Sequence, residues 1–309
     1  MIASHAEPDG DAVGCLIALG LALRKYGKKT TLYNASAIPA VYRFLPGVDQ
    51  IMRYIKETDT YDTAILLDCG DMFRVGEAAS AIGKIPVIIN IDHHVSNTGF
   101  GNIQLIDTTA CATAEIVYRL IKSLEIPFDR AIATSLYTGI LTDTGSFRFS
   151  NTNKAAFSIS KEMIAAGVDP HSVAQHVFGT YSLGRIKLLN MALNSIEISD
   201  NGKLSMMTIT RSMLNTTGTN TEDLDGMINY ARRIEDVKVA ALIHEIKNGA
   251  GKFTNMNRYH VSLRSEGSVD VAKIASKFGG GGHASAAGFQ IESTLVALKT
   301  KIITLAEDL

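Results

Sequence analysis

The chain has 309 residues, 46% of them hydrophobic and 20% charged, with a formal net charge of −1; that is enough for about two domains with substantial cores. The near-neutral balance argues against broad electrostatic binding of long nucleic acid. Three widely spaced cysteines (Cys15, Cys69 and Cys111), no apolar run of the roughly eighteen residues a membrane span needs, and no basic-then-apolar start predict a cytoplasmic protein with reduced thiols and no membrane partner.

In chain order, Met1-Ile2-Ala3 precede Ser4-His5, which leaves either a very short first strand or a natural start upstream of Met1. Ala12–Tyr26 places Leu16, Leu19 and Leu23 on one stripe and is expected to be helical. Thr30–Asn34, Thr63–Asp68, Val87–Asp92 and Ile103–Asp107 read as short strands. Ala64–Leu67 and Val87–Ile89 are continuously apolar, the pattern of strands covered on both faces. Ala112–Leu124 and Arg130–Leu141 are further helices. Alternating strands and helices imply a doubly wound, mainly parallel α/β domain over residues 1–177. Tyr181–Ile198 reads as one helix, in a linker over 178–196. Residues 197–309 then form a smaller α/β domain with a mixed sheet, with strands at Lys203–Thr210, Val237–Lys247 and Tyr259–Ser265. Its helices are expected at Thr221–Arg233, Val269–Phe278 and Ser293–Asp308.

Four segments carry the chemistry: His5-Ala6-Glu7-Pro8-Asp9-Gly10-Asp11, Asp68, Asp92-His93-His94, and Asp143. All are read as strand ends, and in an open parallel sheet those ends share one edge where ligands bind. One Asp at a strand end is usually a cap or a turn residue, but four converging segments are not explained that way. Asp9, Asp11, Asp68 and Asp143 crowd four negative charges, which two divalent ions balance, with His5 and His93 as neutral nitrogen ligands. A His/Asp set without cysteine fits manganese, with magnesium, cobalt or iron as alternatives, better than structural zinc. Two such ions about 3.5–4 Å apart form the usual clamp for displacement at phosphorus.

These four segments resemble the motifs of the DHH phosphoesterase superfamily, and Gly279–His283 resembles the glycine-rich signature of the DHH-associated C-terminal domain. The resemblance covers nearly the whole chain and is to the stand-alone bacterial oligoribonuclease and phosphoadenosine-phosphate phosphatase type, a group that includes cyclic-di-AMP and pApA phosphodiesterases. It implies a first ion on His5, Asp9 and Asp68, and a second on Asp11, Asp68, His93 and Asp143. Asp68 would bridge them, His94 would meet the substrate phosphate, and Asp92 would support the site from behind.

In the C-terminal part, consecutive glycines let backbone N–H groups approach a phosphate, although a bare glycine run also reads as a linker. Alternation over Tyr259–Arg264 puts His260, Ser262 and Arg264 on one face. Arginine grips phosphate with two parallel hydrogen bonds, and the resemblance implies that role for Arg264. The substrate-binding set is therefore Arg264, Gly280, Gly281, Gly282 and His283. His171, His176 and His244 read as structural or surface residues, and Arg148 as an outlying candidate. The expected function is two-metal hydrolysis of short RNA or small nucleotides (nanoRNA, pApA, phosphoadenosine phosphate), with a homodimer allowed. The competing readings are a RecJ-type single-strand DNA exonuclease, a polyphosphate or pyrophosphate hydrolase, and a non-catalytic nucleotide-binding module.

Overall fold

The computed structural model describes residues 1–55, 58, 60–179, 181–246 and 256–306. It divides into two compact units, Met1–Thr180 and Tyr181–Leu309.

The strands of the first unit are β1 (Ile2–Ser4), β2 (Leu32–Tyr33), β3 (Ile51–Met52), β4 (Thr63–Leu67), β5 (Val87–Asp92) and β6 (Ile103–Ile106). They pair in the order β3-β2-β1-β4-β5-β6, and every neighbouring pair is parallel. The helices are α1 (Gly10–Lys25), α2 (Ala79–Ile82), α3 (Thr113–Ser123), α4 (Arg130–Asp143), α5 (Lys154–Ala165) and α6 (Pro170–Phe178). One face of the sheet packs Ile2, Leu67 and Ile91 against Leu16 and Leu19 of α1, Ile116 of α3 and Ile140 of α4, all buried. The other face packs Ala3 and Leu66 with Val75 of a following turn and Ile82 of α2. Strands covered on both faces must be apolar throughout, which is the pattern of β4 and the reason it was legible. Each such buried aliphatic side chain contributes about 1.5–3 kcal/mol.

Two expectations change here. Asp143 is the last residue of helix α4, not the end of a strand; the run Ile132–Leu141 is buried because it lies on α1 and α3. Helices α5 and α6, over residues for which no element was expected, start at the side-chain N-caps Asn153 and Asp169.

The second unit contains α7 (Leu183–Asn194), β7 (Glu197–Ile198), β8 (Leu204–Ile209), α8 (Arg211–Thr217), α9 (Ile228–Arg232), β9 (Val239–Glu245), β10 (Asn257–Ser265), α10 (Val271–Ser276), β11 (Gly281–His283), β12 (Ala286–Ser293) and α11 (Leu295–Ala306). Its sheet runs β11-β12-β10-β9-β8-β7 and is mixed: β8 and β9 are parallel, the other pairs antiparallel. The helix expected in the linker, α7, clusters with this unit and buries Leu188 and Ala192 against Met207, Ile209 and Leu242. It stops at Asn194, and Glu197–Ile198 is an edge strand instead of a last helical turn. The expected helix Thr221–Arg233 is a 3₁₀ turn at Thr221–Leu224 followed by α9, interrupted at Gly226, whose φ is 74°. Among the described residues no helix is long and apolar enough to cross a membrane.

Candidate metal centre and substrate-binding face

Strands β1, β4 and β5 are adjacent in the first sheet, so their parallel C-terminal ends deliver His5, Asp68 and His93 side by side. Asp9 and Asp11 open α1 beside them; Asp9 caps that helix, its Oδ1 accepting from the Asp11 and Ala12 N–H groups at 3.1 and 3.0 Å. Asp143 arrives from α4, which crosses α1 at very short range. A Cβ on Gly139 would lie 2.8 Å from Asp11 Oδ1, so only glycine admits this approach.

Among the described residues the donor atoms form three overlapping groups, one of which is Asp68, His93 and His94. Ligating atoms of His5, Asp9 and Asp68 lie within 4.8 Å of one another, and so do those of Asp11, His93 and Asp143. Asp68 faces both. Its Oδ2 is 3.5 Å from His5 Nε2, and its Oδ1 is 3.9 Å from His93 Nε2. Its backbone is left-handed, with φ of 58°, unusual for a non-glycine residue and a form of strain found at functional sites.

The histidine rings are oriented by the backbone. His5 Nδ1 is 2.8 Å from the Ala6 carbonyl and His93 Nδ1 is 3.3 Å from the Ala110 carbonyl. Donation from each Nδ1 to a carbonyl leaves Nε2 as the coordinating atom, and in both residues Nε2 is the atom that faces the carboxylates. His94 differs: its Nδ1 lies 2.6 Å from Oδ1 of the fully buried Asp92. The other Asp92 oxygen accepts from Asn97 Nδ2 at 2.6 Å, so Asp92 is spent on holding the loop.

Charge supports the same reading. Burial works against a charged His5, but hydrogen bonding to Asp68 and the field of Asp68 and Asp9 overcome it and raise its pKa to about 9. Burial likewise opposes charge on His93, and Asp11, Asp143 and Asp68 raise it to about 9. Burial, with the Asp68 and Asp9 carboxylates against the help of His93, pushes Asp143 up to about 7. Asp11 is also raised, by burial first and then by Asp68 and Asp143. Carboxylates that retain protons and imidazoles that gain them mark a pocket short of positive charge, and mixed Asp/His donors fit divalent cations there.

Several residues that hold this centre were not singled out from the sequence. Thr113 donates from Oγ1 to Asp68 Oδ1 at 2.8 Å and from its N–H to Asp11 Oδ2 at 2.6 Å. With the Ala114 N–H on Asp11 Oδ1 at 2.9 Å, the N-terminus of α3 therefore grips Asp11. Asn34, ending β2, donates to Ser4 Oγ and the His5 carbonyl at 2.9 and 2.8 Å. Asn151 donates to Asp143 Oδ2 at 3.1 Å. Arg148 turns to the Gly145 carbonyl at 2.6 Å. Cysteine Cys15 donates to Asp11 Oδ1, and all three cysteines are buried and free.

In the second unit, β10 alternates as expected: Tyr259, Val261 and Leu263 are buried, while His260, Ser262 and Arg264 share the opposite, half-buried face. Of the glycine run, Gly281 and Gly282 lie in a strand, and Gly279 lies in the turn before it with φ of 75°. β11 pairs Gly281 with Gly288, Gly282 with Ala287 and His283 with Ala286. Ala286 also pairs with Arg264, so Arg264 and His283 lie in one cross-strand row on one face. A Cβ on Gly280 would stand 2.1 Å from the Gly288 carbonyl, whereas at Gly281 it would meet nothing within 4 Å. Burial, with Arg232 nearby and against Asp225, lowers the Arg264 pKa; Arg264 Nη1 donates to the Leu263 carbonyl at 3.0 Å. His176 stacks on Phe44 and donates to, or accepts at, no carboxylate among the described residues; His244 pairs across strands with His260.

Residues 1–140 match the DHH family N-terminal domain and residues 205–308 the DHHA1 domain. A bifunctional oligoribonuclease and PAP phosphatase NrnA from Thermus thermophilus is 33% identical over 291 residues, 93% of this chain and 82% of that protein. The Bacillus subtilis protein of the same name is 24% identical over 294 residues, covering 94% of this chain and 88% of its own length. An exopolyphosphatase-related protein from Bacteroides fragilis has a crystal structure that superposes with a TM-score of 0.87 at 26% identity, covering 98% of this chain and 91% of that one.

Proposed function

Because this chain belongs to the DHH phosphoesterase family, whose members are metal-dependent hydrolases, we propose that it cleaves short oligoribonucleotides or small nucleotides to nucleoside monophosphates with two divalent ions, manganese first among them. The observation that carries this reading is Asp68, whose Oδ2 faces His5 while its Oδ1 faces His93 and His94, at 3.9 and 3.6 Å. The names of the Thermus and Bacillus relatives support the substrate class.

On this reading His5, Asp9 and Asp68 hold one ion, and Asp11, Asp68, His93 and Asp143 hold the other. Bound ions supply Lewis acidity at phosphorus and acidify the attacking water. The Ala6 and Ala110 carbonyls keep the histidine Nε2 atoms turned inward. Thr113 fixes both Asp11 and Asp68, so the carboxylates need no rearrangement during turnover. Asp92 orients His94 and favours its protonated form, and His94 donates to a non-bridging phosphate oxygen as negative charge grows there. In the second unit, Arg264, His283 and the backbone of Gly280, Gly281 and Gly282 are the proposed substrate-binding residues.

A substrate panel with manganese tests the proposal: pApA, a five-nucleotide RNA, a long single strand, phosphoadenosine phosphate, cyclic di-AMP, pyrophosphate and polyphosphate. Turnover should concentrate on the short nucleotides. Hydrolysis of pyrophosphate or polyphosphate alone refutes the substrate assignment, and no metal-dependent turnover on any of them refutes the enzymatic one.

A further inference from the structure

We propose that Phe73 is a nucleobase-stacking residue at the rim of the metal centre, so that the first unit recognises the base as well as the phosphate; this rests on the phosphoesterase reading above. Phe73 follows the Asp68 loop in a single 3₁₀ turn, Met72–Val75. The turn is anchored from beneath: Val75 is fully buried with Ala3 and Leu66, and Met72 packs against the same cluster. Asp71 caps it, with Oδ1 accepting from the Phe73 N–H at 2.8 Å and the carbonyl accepting from Arg74 at 3.1 Å.

That turn is bonded directly to the metal-binding loops. The Arg74 carbonyl accepts from the N–H of Ala6, the residue after His5, at 2.7 Å. The Gly70 carbonyl accepts from Thr98 at 2.8 Å, and the Cys69 carbonyl from Asn97 Nδ2 at 3.2 Å. Gly70 itself sits against His94: a Cβ placed there would be 3.8 Å from His94 Cβ and 3.8 Å from Asp92 Oδ2. The backbone beneath Phe73 is therefore fixed relative to both the His5 and the His93-His94 segments.

Despite this anchoring, the Phe73 side chain is 76% exposed. A single exposed apolar residue is ordinary. Here a second one stands on the loop bonded to it: Val95, which directly follows His94, is 83% exposed. Both exposed apolar side chains stand on cross-bonded loops, each reached within a few residues from a proposed ligand or its neighbour. The occupant is set by continuity with the centre. A nucleotide whose phosphate lies at Asp68 and His94 carries its base one sugar away, and a base offers a π-face to an aromatic ring whatever its sequence. Arg74, beside Phe73, adds a positive charge without requiring a particular base.

The chain has no tryptophan, so Phe73→Trp places a unique fluorophore at the rim. With manganese, wild type, Phe73→Ala and Phe73→Trp are compared on pApA and on the abasic dinucleotide with the same phosphates. Phe73→Ala should raise KM for pApA about tenfold or more with kcat little changed, while Phe73→Trp keeps wild-type KM. KM for the abasic analogue should stay within about twofold of wild type. Adenosine nucleotide should quench Phe73→Trp emission, and the abasic analogue should not. Unchanged KM for pApA in Phe73→Ala with no quenching overturns the proposal, and so does an equal loss on both substrates. If wild type hydrolyses no nucleotide, the functional reading fails by itself; the quenching titration then still decides whether Phe73 contacts a base.

Discussion

In the first unit every proposed ligand stands where a strand ends or at a helix terminus; in the second, the proposed binding residues stand on the flat of a sheet and on one edge strand. Strand ends of a parallel sheet bring His5, Asp68 and His93 together from distant parts of the chain, and backbone carbonyls and the α3 N-terminus lock them. The face of β10, β12 and β11 instead lines up Arg264 and His283 through strand register. The first arrangement suits chemistry that demands fixed atoms. The second suits gripping, which tolerates adjustment.

Substitutions should separate these two roles, with the largest effect at the residue shared by both donor groups. Asp68→Asn keeps the shape but removes the charge that faces both histidines. Turnover should fall by at least about a thousandfold while circular dichroism stays that of the folded protein. Near-wild-type rates would remove the two-ion assignment.

The adjacent histidines come next. His93→Ala should weaken metal binding itself. His94→Ala should keep metal occupancy and lower kcat by about 10²–10³, the cost of one lost transition-state donor. Metal titration of both variants distinguishes them, and equal loss of metal would show that the pair has been divided wrongly.

In the second unit, Arg264→Ala should cost about ten- to hundredfold in kcat/KM on pApA, mostly through KM, as expected for one charged hydrogen-bond donor. Bis-p-nitrophenyl phosphate hydrolysis should hardly change. A matching loss on both substrates would mean that Arg264 serves the metal centre or the fold. Gly280→Ala should lower Tm, since its Cβ meets the Gly288 carbonyl, while Gly281→Ala, with open space around it, should not. Calorimetry of the pair tests whether Gly280 packs on Gly288 while Gly281 faces open space.

The smallest effect concerns pH. His5 and His93 are raised to about 9 in the ion-free protein, so their contribution to stability is complete below their ordinary pKa of about 6.5. It is lost as pH rises through about 9. Asp143, raised to about 7, acts in the same direction, losing its contribution as pH rises through that value. Ion-stripped protein should therefore show a Tm that declines over this range, and manganese, which replaces those protons, should flatten the decline. A Tm rising with pH in the stripped protein would contradict the described charge balance.

Much of the centre was legible because its residues sit beside continuous apolar runs, which advertise buried parallel strands. Asp143, expected at a strand end, closes the same helix that Arg130–Leu141 was expected to form, and that helix is buried against α1 and α3. Thr113 and Asn34 carried no signal, since their partners lie far away in sequence, and nothing set Asn97 and Asn151 apart from ordinary turn residues, although Asp92 and Asp143 are only 5 and 8 residues away. Thr113, for example, reaches across more than a hundred residues to Asp11. The glycine run gave an ambiguous signal for a different reason. Gly280 and Gly282 pack by lacking side chains while Gly279 and Gly281 have open space, so a strand, a loop and a linker look alike until β12 is seen against the run.

The central claim is tested most directly by counting bound manganese while following pApA turnover on the same wild-type sample. Two ions per chain, with activity appearing only as the second is taken up, is the predicted result. Full turnover with a single ion, or with none, would contradict it.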